Sequence, residues 1–355
     1  MFLIIDSVVQ IFVEIAKIGI IIEKGKRIFI IFATRMYYGS FLPVLFVNVF
    51  MYSKILFMAS SKHSLKDWFV ATRPWSYPAS VIPVFVTLAY LYWLGCDVNW
   101  ALGLWALLNI VLFHAAANTW SDYFDYKKGV DREDTIGGVS ITSGKFEARE
   151  IRSLAMWLLA VSAFSGLLLL MCTGLPVLYM GLAGALLILL YPWFKYHALG
   201  DVDIFITFSL LPVLGTSYVA TGAFFVHVMF LTVPIGLITV GILHINNTRD
   251  IEPDRRAGIL TFAMLAGRRI SVFLYCAEVL FPFAWVVMCA YRGFFPWWSL
   301  LVLLALVPAL GNVARACRYP KESAEVLYGL DELTAKLQLM FGLLLALSFF
   351  VAGLL

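Results

Sequence analysis

The chain has 355 residues, of which 62% are hydrophobic and 14% are charged, and its mean hydropathy is +0.90. This composition excludes an ordinary soluble domain, in which charged residues make up about a quarter of the total. It is typical of a polytopic membrane protein. The formal net charge of +4 is small. We attribute it to membrane topology and to contact with anionic membrane lipid, so it does not indicate binding to nucleic acid.

From Trp75 onward, apolar residues form nine segments of about twenty residues, the length that a helix needs to cross a bilayer core. A lipid-exposed backbone must satisfy its own hydrogen bonds, which such segments do as helices. The sequence therefore predicts an all-α polytopic membrane protein with about nine transmembrane helices. The predicted spans run approximately over residues 75–94, 99–121, 153–173, 176–194, 202–221, 226–246, 270–291, 296–314 and 337–355.

The N-terminal segment, residues 1–57, differs from the rest of the chain. It is apolar, but charged residues such as Glu14 and Arg35 interrupt it. It has no small-residue cleavage site, so it does not fit a signal peptide, although residues 28–53 could cross a membrane. We therefore interpret residues 1–57 as an atypical apolar extension and expect translation to begin at or near Met58, where a polar segment leads into the first span.

Basic residues are distributed unevenly between the predicted loops. The connections after the second, fourth, sixth and eighth spans hold sixteen Lys and Arg residues, and the connections on the other side hold one, Arg292. Short loops rich in Lys and Arg stay in the cytoplasm. We therefore expect a multi-pass protein of the cell's inner (plasma) membrane whose even-numbered loops face the cytoplasm.

An acidic stretch follows the second predicted span, on the predicted cytoplasmic side. It contains Asn118, Asp122, Asp125 and Asp131. Residues four apart share one face of a helix, so Asn118 is predicted to lie next to Asp122, and Ser121 next to Asp125. A single acid at the end of a membrane helix is often only solvated. Several acids at one depth, with a second such stretch elsewhere, indicate binding of a cation.

The second acidic stretch follows the sixth predicted span and contains Asn246, Asp250 and Asp254. It repeats the spacing of Asn and Asp in the first stretch about 128 residues later, which suggests an internal duplication with a site at the interface of the repeats. Carboxylate and amide oxygens suit Mg²⁺, which typically bridges a few carboxylates to substrate phosphates. We therefore predict that the two stretches bind Mg²⁺ together.

Two basic residues fit the topological pattern less fully than the others. Arg73 and Lys195 each lie beside aromatic residues at the predicted mouth of a span. Positive-inside topology accounts for most of the other Lys and Arg residues. Residues placed like Arg73 and Lys195 could hold a diphosphate through its negative charge.

Other motifs are less informative. Residues 137–145 contain glycines and end at a lysine, but their spacing does not match a phosphate-binding loop, and we expect a flexible lid here. The five histidines show no ligand spacing, and His244, two residues before Asn246, is the one that we would test. The five cysteines show no close pair, so we expect them to pack as small residues without disulfides.

Four motifs in order resemble those of the UbiA-type intramembrane prenyltransferases. The acidic stretches read DYFDYKKGVD at 122–131 and NNTRDIEPDR at 246–255, and RPWS at 73–76 and KYHALGD at 195–201 accompany them. The sequences of these motifs are most similar to those of the menaquinone branch, the 1,4-dihydroxy-2-naphthoate polyprenyltransferases, and of its eukaryotic vitamin K relatives. One position departs from that branch, which usually has Asn where this chain has Ser121.

The resemblance implies a UbiA-type prenyltransferase domain over residues 58–355, with helices around a central cavity. It implies that a polyprenyl group passes from polyprenyl diphosphate to 1,4-dihydroxy-2-naphthoate, with loss of CO₂ and diphosphate, to give demethylmenaquinone. The implied Mg²⁺ ligands are Asp122, Asp125, Asp131, Asp250 and Asp254. The implied catalytic residues are Arg73, Lys195, Asn118 and Asn246.

Two alternatives stay open at this point. An enzyme of the same fold could use another acceptor, such as 4-hydroxybenzoate. A cation-coupled transporter would also have acidic residues within an internal repeat. The sequence favours the enzyme over the transporter, because the acids are predicted at helix ends on one side of the membrane and not at its middle.

Overall fold

The structure, a computed structural model, describes residues 63–132 and 139–355. The predicted extension at 1–57 and the first part of the predicted lid at 137–145 lie outside the described residues. What is described is helical, apart from turns, short connections and an isolated bridge between His197 and Leu260.

Contacts divide the chain into two units, Met1–Thr72 and Arg73–Leu355. The described part of the first unit contains helix α1 (Leu65–Ala71). A capping box begins this helix: the Ser64 hydroxyl accepts a hydrogen bond from the Asp67 N–H (3.2 Å), and the Asp67 carboxylate accepts one from the Ser64 N–H (3.0 Å).

The described residues of the second unit form ten helices with short turns between them. Their bounds are α2 (Pro78–Trp93), α3 (Trp100–Lys128), α4 (Ala148–Thr173), α5 (Pro176–Tyr196), α6 (Gly200–Thr221), α7 (Met229–Arg249), α8 (Ile251–Arg256), α9 (Phe262–Tyr291), α10 (Trp297–Ala316) and α11 (Leu330–Leu354). A short helical turn, Val139–Thr142, lies in the second half of the predicted lid.

Within residues 63–132 and 139–355, eight helical segments are long and apolar enough to cross a membrane, namely α3, α4, α5, α6, α9, α10 and the segments that contain α7 and α11. This confirms the predicted all-α, multi-pass membrane architecture. The remaining predicted span, residues 75–94, corresponds to α2, which has 16 residues and is therefore about 24 Å long at the usual helical rise. A 3₁₀ turn, Pro74–Ser76, precedes it.

Several helices extend further than the apolar pattern predicts, among them α9, which begins at Phe262. α3 continues through the first acidic stretch to Lys128, and α11 begins at Leu330, ahead of the predicted span. The added turns carry charged residues, which a hydropathy pattern excludes from a span although they are compatible with a helix outside the hydrocarbon core. As a result, the acids of the first stretch are held on a helix.

The main core forms where α2, α7, α9 and α11 meet. Leu231, Val279 and Leu345 are fully buried there. α11 approaches α2 closely because it has Gly342 at the contact, where a Cβ atom would lie 2.2 Å from the side chain of Ile82. This packing fixes the C-terminal end of α7, which carries the second acidic stretch.

Candidate active site

The first acidic stretch lies on the last turns of α3 with its carboxylates turned inward. Asp122 and Asp125 are only 1% and 4% exposed. The helix ends at Gly129, which has a left-handed φ of 74° that favours glycine. The N–H groups of Val130 and Asp131 then bond back to the Asp125 carbonyl, at 2.8 and 3.3 Å. This turn folds the chain over the helix end and keeps Asp131 near Asp125.

Arg73 forms an ion pair with Asp122. Its backbone is left-handed (φ 57°, ψ 57°), a conformation that costs a non-glycine residue about 1–3 kcal/mol and is typical of functional sites. The Arg73 carbonyl accepts hydrogen bonds from the N–H (3.0 Å) and the hydroxyl (2.8 Å) of Ser76. Burial opposes the charge of Arg73, but Asp122, Asp131 and Asp125 raise its pKa above the usual value.

Asp125 receives three hydrogen bonds from side chains. Lys195 donates at 2.8 Å and Ser121 at 3.2 Å to one carboxylate oxygen, and the Tyr196 hydroxyl donates at 2.9 Å to the other. Lys195 and Tyr196 end α5, so this carboxylate joins α3 to α5. Sequence reasoning missed Tyr196, although it stands next to Lys195 in a recognised motif.

Asn118 connects α3 to the turn that holds Arg73. Its side-chain amide donates to the Ser76 hydroxyl at 3.0 Å. Ser76 and Ser80 also contact the two ring nitrogens of His114, at 3.2 and 2.7 Å. In the first stretch it is therefore Ser121 that bonds to Asp125, while Asn118 supports the N-terminal end of α2.

The second acidic stretch is organised by Arg249, which is only 6% exposed. Its guanidinium holds Asp250 through two hydrogen bonds of 2.8 and 2.7 Å and also donates to the Asn246 side chain. A further hydrogen bond of 3.3 Å reaches Asp331 on α11. Sequence reasoning missed the roles of both Arg249 and Asp331. Arg249 lies inside a recognised motif, whereas Asp331 is 82 residues away from Arg249 and carries no sequence signal.

Asp131 and Asp254 are buried acids, each with one oxygen that has no hydrogen-bond partner among the described residues. Burial, helped by the nearby Asp125 and Asp250, raises the pKa of Asp131 to about 6. Burial, helped by Asp250 and Asp125 and opposed by Lys195, raises the pKa of Asp254 to about 7. Acids of each stretch therefore raise the pKa of an acid in the other stretch, as expected of carboxylates that lie close together.

These acids fit a divalent cation. The two stretches offer carboxylate oxygens, the donors that Mg²⁺ prefers, and the oxygens of Asp131 and Asp254 that have no hydrogen-bond partner among the described residues are buried, which is costly without a positive partner. The structure brings Arg73, Lys195 and the first-stretch acids together directly, and it brings Asn246 and Asp250 together through Arg249. Among the described residues, Asp131 and Asp254 each keep an oxygen with neither a hydrogen bond nor an ion pair, whereas the similarly buried Oδ1 of Asp122 is ion-paired with Arg73.

Relatives among known proteins cover most of the chain. A model of the UbiA prenyltransferase family matches residues 80–328. The "UbiA prenyltransferase domain-containing protein 1 homolog" of Drosophila melanogaster is 32% identical over 289 residues, 79% of this chain and 78% of that protein. The "UbiA prenyltransferase domain-containing protein 1" of Homo sapiens is 29% identical over 290 residues, 80% of this chain and 83% of that protein.

Solved structures share the fold at low sequence identity. A UbiA homolog from Aeropyrum pernix K1 superposes with a TM-score of 0.59 at 16% identity, over 76% of this chain and 97% of that one. A UbiA homolog from Archaeoglobus fulgidus bound to DMAPP and Mg²⁺ has a TM-score of 0.54 at 14% identity, over 79% of this chain and 99% of that one. The family model spans well over half of the chain, and the architecture agrees with it: the protein belongs to the UbiA prenyltransferase family.

Proposed function

We propose that the protein is a Mg²⁺-dependent prenyltransferase that transfers a polyprenyl group from its diphosphate to 1,4-dihydroxy-2-naphthoate. The observation that carries this proposal is the pair of buried carboxylate oxygens on Asp131 and Asp254 that have no hydrogen-bond partner among the described residues; they come from the two acidic stretches, and both side chains interact with Asp125, Asp250 and Lys195. The relative from Archaeoglobus fulgidus that binds DMAPP and Mg²⁺ supports the same pairing of metal and donor in this chain.

Asp131 and Asp254 would hold Mg²⁺, with Asp122, Asp125 and Asp250 around it. When bound, the ion would supply Lewis-acid stabilisation of the diphosphate leaving group. In the described structure Arg73 and Lys195 are paired with acids of the same cluster. We expect Arg73 and Lys195 also to donate hydrogen bonds to the diphosphate, because both side chains carry several donors and a phosphate is a strong acceptor.

Arg249 would act as a positioning residue for the second stretch. It fixes Asp250 and Asn246 in one orientation and ties them to α11 through Asp331. Such a supporting shell holds ligands in place before substrate arrives, which lowers the cost of assembling a metal site.

An apolar chamber of about 290 Å³ lies beside this site, between α3, α4, α5 and α6. Phe113 and Phe208 are among the residues that line it, and His114 lies at its wall. A chamber of this kind suits an isoprenoid chain. Aromatic faces near the breaking bond can stabilise an allylic cation without adding to it, as water would.

The proposed reaction balances as a substitution with decarboxylation. The allylic C–O bond breaks and diphosphate leaves, the ring carbon that bears the carboxylate forms the new C–C bond, and that carboxylate leaves as CO₂. The similarity of the motif sequences to the menaquinone branch supports naphthoate as acceptor. The names of the relatives do not specify an acceptor. We also propose that the site opens to the cytoplasm, because the predicted connections on its side of the membrane hold sixteen Lys and Arg residues and those on the other side hold one.

The test uses the purified full-length protein in detergent with Mg²⁺ and a labelled polyprenyl diphosphate. One reaction receives naphthoate labelled in its carboxyl group, and a parallel reaction receives 4-hydroxybenzoate. We expect a prenylated naphthoquinol, release of labelled CO₂, and loss of both on adding EDTA. Transfer only to 4-hydroxybenzoate would keep the enzyme class and overturn the acceptor. Uptake of Mg²⁺ into liposomes without any prenyl donor would favour a transporter.

A further inference from the structure

A second group of titratable side chains lies at the meeting point of three helices. Asp201 comes from the first turn of α6, His244 from α7 and Glu278 from α9. The His244 side chain is fully buried, and the two carboxylates are 12% and 13% exposed. Each places an oxygen 3.1 Å from the same ring nitrogen, Nδ1 of His244. The proposed prenyl transfer makes no use of this group.

Hydrogen bonds on the far side of the ring assign its proton. The Thr248 hydroxyl donates to the His244 carbonyl at 2.7 Å, so its single proton is used. Thr248 also contacts the Ser271 hydroxyl, and in that contact Ser271 must be the donor. Ser271 must then accept from the ring, and its distance of 2.8 Å to Nε2 places the proton of a neutral imidazole on Nε2.

This assignment leaves the lone pair of Nδ1 directed at two negative carboxylates. Nδ1 makes no hydrogen bond of normal geometry, and the second oxygens of Asp201 and Glu278 also have no hydrogen-bond partner among the described residues. A proton on Nδ1 could be shared between the two carboxylates, but a protonated imidazole beside two ionised carboxylates would still leave a net negative charge. A divalent cation would contact both carboxylates and balance their charge, which a buried site requires.

The spacing of the three groups fits coordination. Ligands bound at about 2.0–2.2 Å in tetrahedral or octahedral geometry lie about 3.0–3.4 Å apart, and the two distances to Nδ1 are 3.1 Å. All three donor atoms lie within 4.8 Å of one another. The Nε2 contact with Ser271 is also the outer partner that a metal-bound histidine normally has.

We propose that Asp201, His244 and Glu278 form a second divalent-metal site, which takes a transition-metal ion of the Zn²⁺ or Mn²⁺ class. An imidazole ligand favours such ions over Mg²⁺, which prefers oxygen. Three protein ligands leave at least one position for water. The ion would join α6, α7 and α9 just before Asn246 and so hold the end of α7 that carries the second acidic stretch.

The test measures metal binding directly and does not depend on turnover. Protein purified in detergent is stripped with a chelator, titrated with ZnCl₂ and separately with MnCl₂ in excess Mg²⁺, desalted, and analysed for metal by mass spectrometry. We expect one Zn²⁺ or Mn²⁺ per chain that Mg²⁺ does not displace. Glu278→Gln and His244→Gln should abolish it, and Ser271→Ala should weaken it roughly 10–100-fold through loss of the outer partner.

Two controls separate this site from others. Asp203→Asn removes a buried acid that lies in the same turn of α6 as Asp201 but outside the cluster. This variant should still bind one Zn²⁺ or Mn²⁺ per chain. Asp254→Asn alters the proposed Mg²⁺ site and should also keep it, even if prenyl transfer is lost. Wild-type protein that binds no Zn²⁺ or Mn²⁺ in excess Mg²⁺ would overturn the proposal, as would metal retained in a folded Glu278→Gln protein.

Discussion

At the scale of single residues, the site contains acids of two kinds. Asp122 and Asp125 are paired with Arg73 and Lys195, whereas Asp131 and Asp254 each keep an oxygen that has no hydrogen-bond partner in the described part of the chain. Paired acids stabilise the protein as it stands, and unpaired buried acids are costly until a cation arrives. The two kinds should therefore respond differently to substitution.

Asp254→Asn should change activity and stability in opposite directions. Its pKa in the folded protein is about 7, above the ordinary 3.8, so the metal-free protein loses stability as pH rises from about 4 to about 7. The asparagine side chain does not ionise, so the variant avoids this loss of stability. At pH 7.5 and without metal, its melting temperature should equal or exceed that of the wild type. Prenyl transfer should fall on the order of 100-fold.

The measurements are thermal melting in EDTA at pH 5 and 7.5, and initial rates with Mg²⁺. A variant that melts well below wild type in EDTA at pH 7.5 would contradict this account of Asp254, since it would show that the carboxylate has a stabilising partner. Glu322→Gln serves as the control, because Glu322 is an exposed acid paired with Arg318 outside the site.

Arg249→Lys should lower activity although the charge is kept. Lysine cannot reproduce the two hydrogen bonds to Asp250 together with those to Asn246 and Asp331. We expect kcat to fall at least about tenfold, with a higher Mg²⁺ requirement. Arg255→Lys is the matched control: Arg255 lies on α8 and pairs with Glu252, but both are exposed. Equal activity in the two variants would remove the positioning role.

At the scale of secondary structure, the end of α3 controls where Asp131 lies. The left-handed turn at Gly129 directs the N–H groups of Val130 and Asp131 back to the Asp125 carbonyl. The acids of the first stretch thus depend on a helix that continues past the apolar span and on one glycine that ends it.

The π-helical turn Ile206–Leu210 in α6 and the break at Gly267 in α9 are other local departures from regular helix.

Gly129→Ala should reduce activity more than a comparable substitution elsewhere. An added Cβ would meet only the Arg132 side chain at an ordinary 3.5 Å, so the cost is mainly conformational, about 1 kcal/mol or somewhat more. Gly222→Ala is the matched control, since Gly222 ends α6 with the same φ of 74° and open space around it. Both variants should melt at similar temperatures, and Gly129→Ala alone should lose activity. Equal activities would argue against a role for this turn.

At the scale of the whole molecule, the two acidic stretches come from different parts of the bundle and are brought together by packing. α3 carries the first, and α7 with α8 carries the second, while α11 contributes Asp331. A ligand that binds both stretches should therefore stabilise the bundle as a unit. Such stabilisation follows mass action and grows with ligand concentration.

Inorganic diphosphate and Mg²⁺ should raise the melting temperature together by more than the sum of their separate effects. A concentration a hundredfold above the dissociation constant corresponds to about 2.7 kcal/mol. The measurement is a thermal melt of the detergent-solubilised protein with each component alone and with both. Simple additivity would mean that the ion and the diphosphate do not share one site. EDTA should abolish the joint effect.

The sequence by itself was sufficient for the architecture and for the family's dependence on Mg²⁺. Apolar segments of membrane length predict the helices, because the bilayer imposes both their length and their internal hydrogen bonding. The spacing of Asn246 and Asp250 and the acids around Asp122 predict the metal chemistry, because helical periodicity is local. The hydropathy pattern ended the second span at residue 121 whereas α3 continues to Lys128, since hydropathy does not register polar turns that a helix adds outside the membrane.

Only the tertiary structure decided which groups meet. It pairs Arg73 with Asp122, connects Arg249 to Asp331, and places Asp201 and Glu278 on the same nitrogen of His244. It also brings two cysteines within 3.8 Å, Cys276 and Cys317, that lie 41 residues apart in the chain. These contacts depend on helix packing between distant segments, for which neither periodicity nor composition carries a signal. The sequence could therefore name candidate site residues, but the fold assigned their partners.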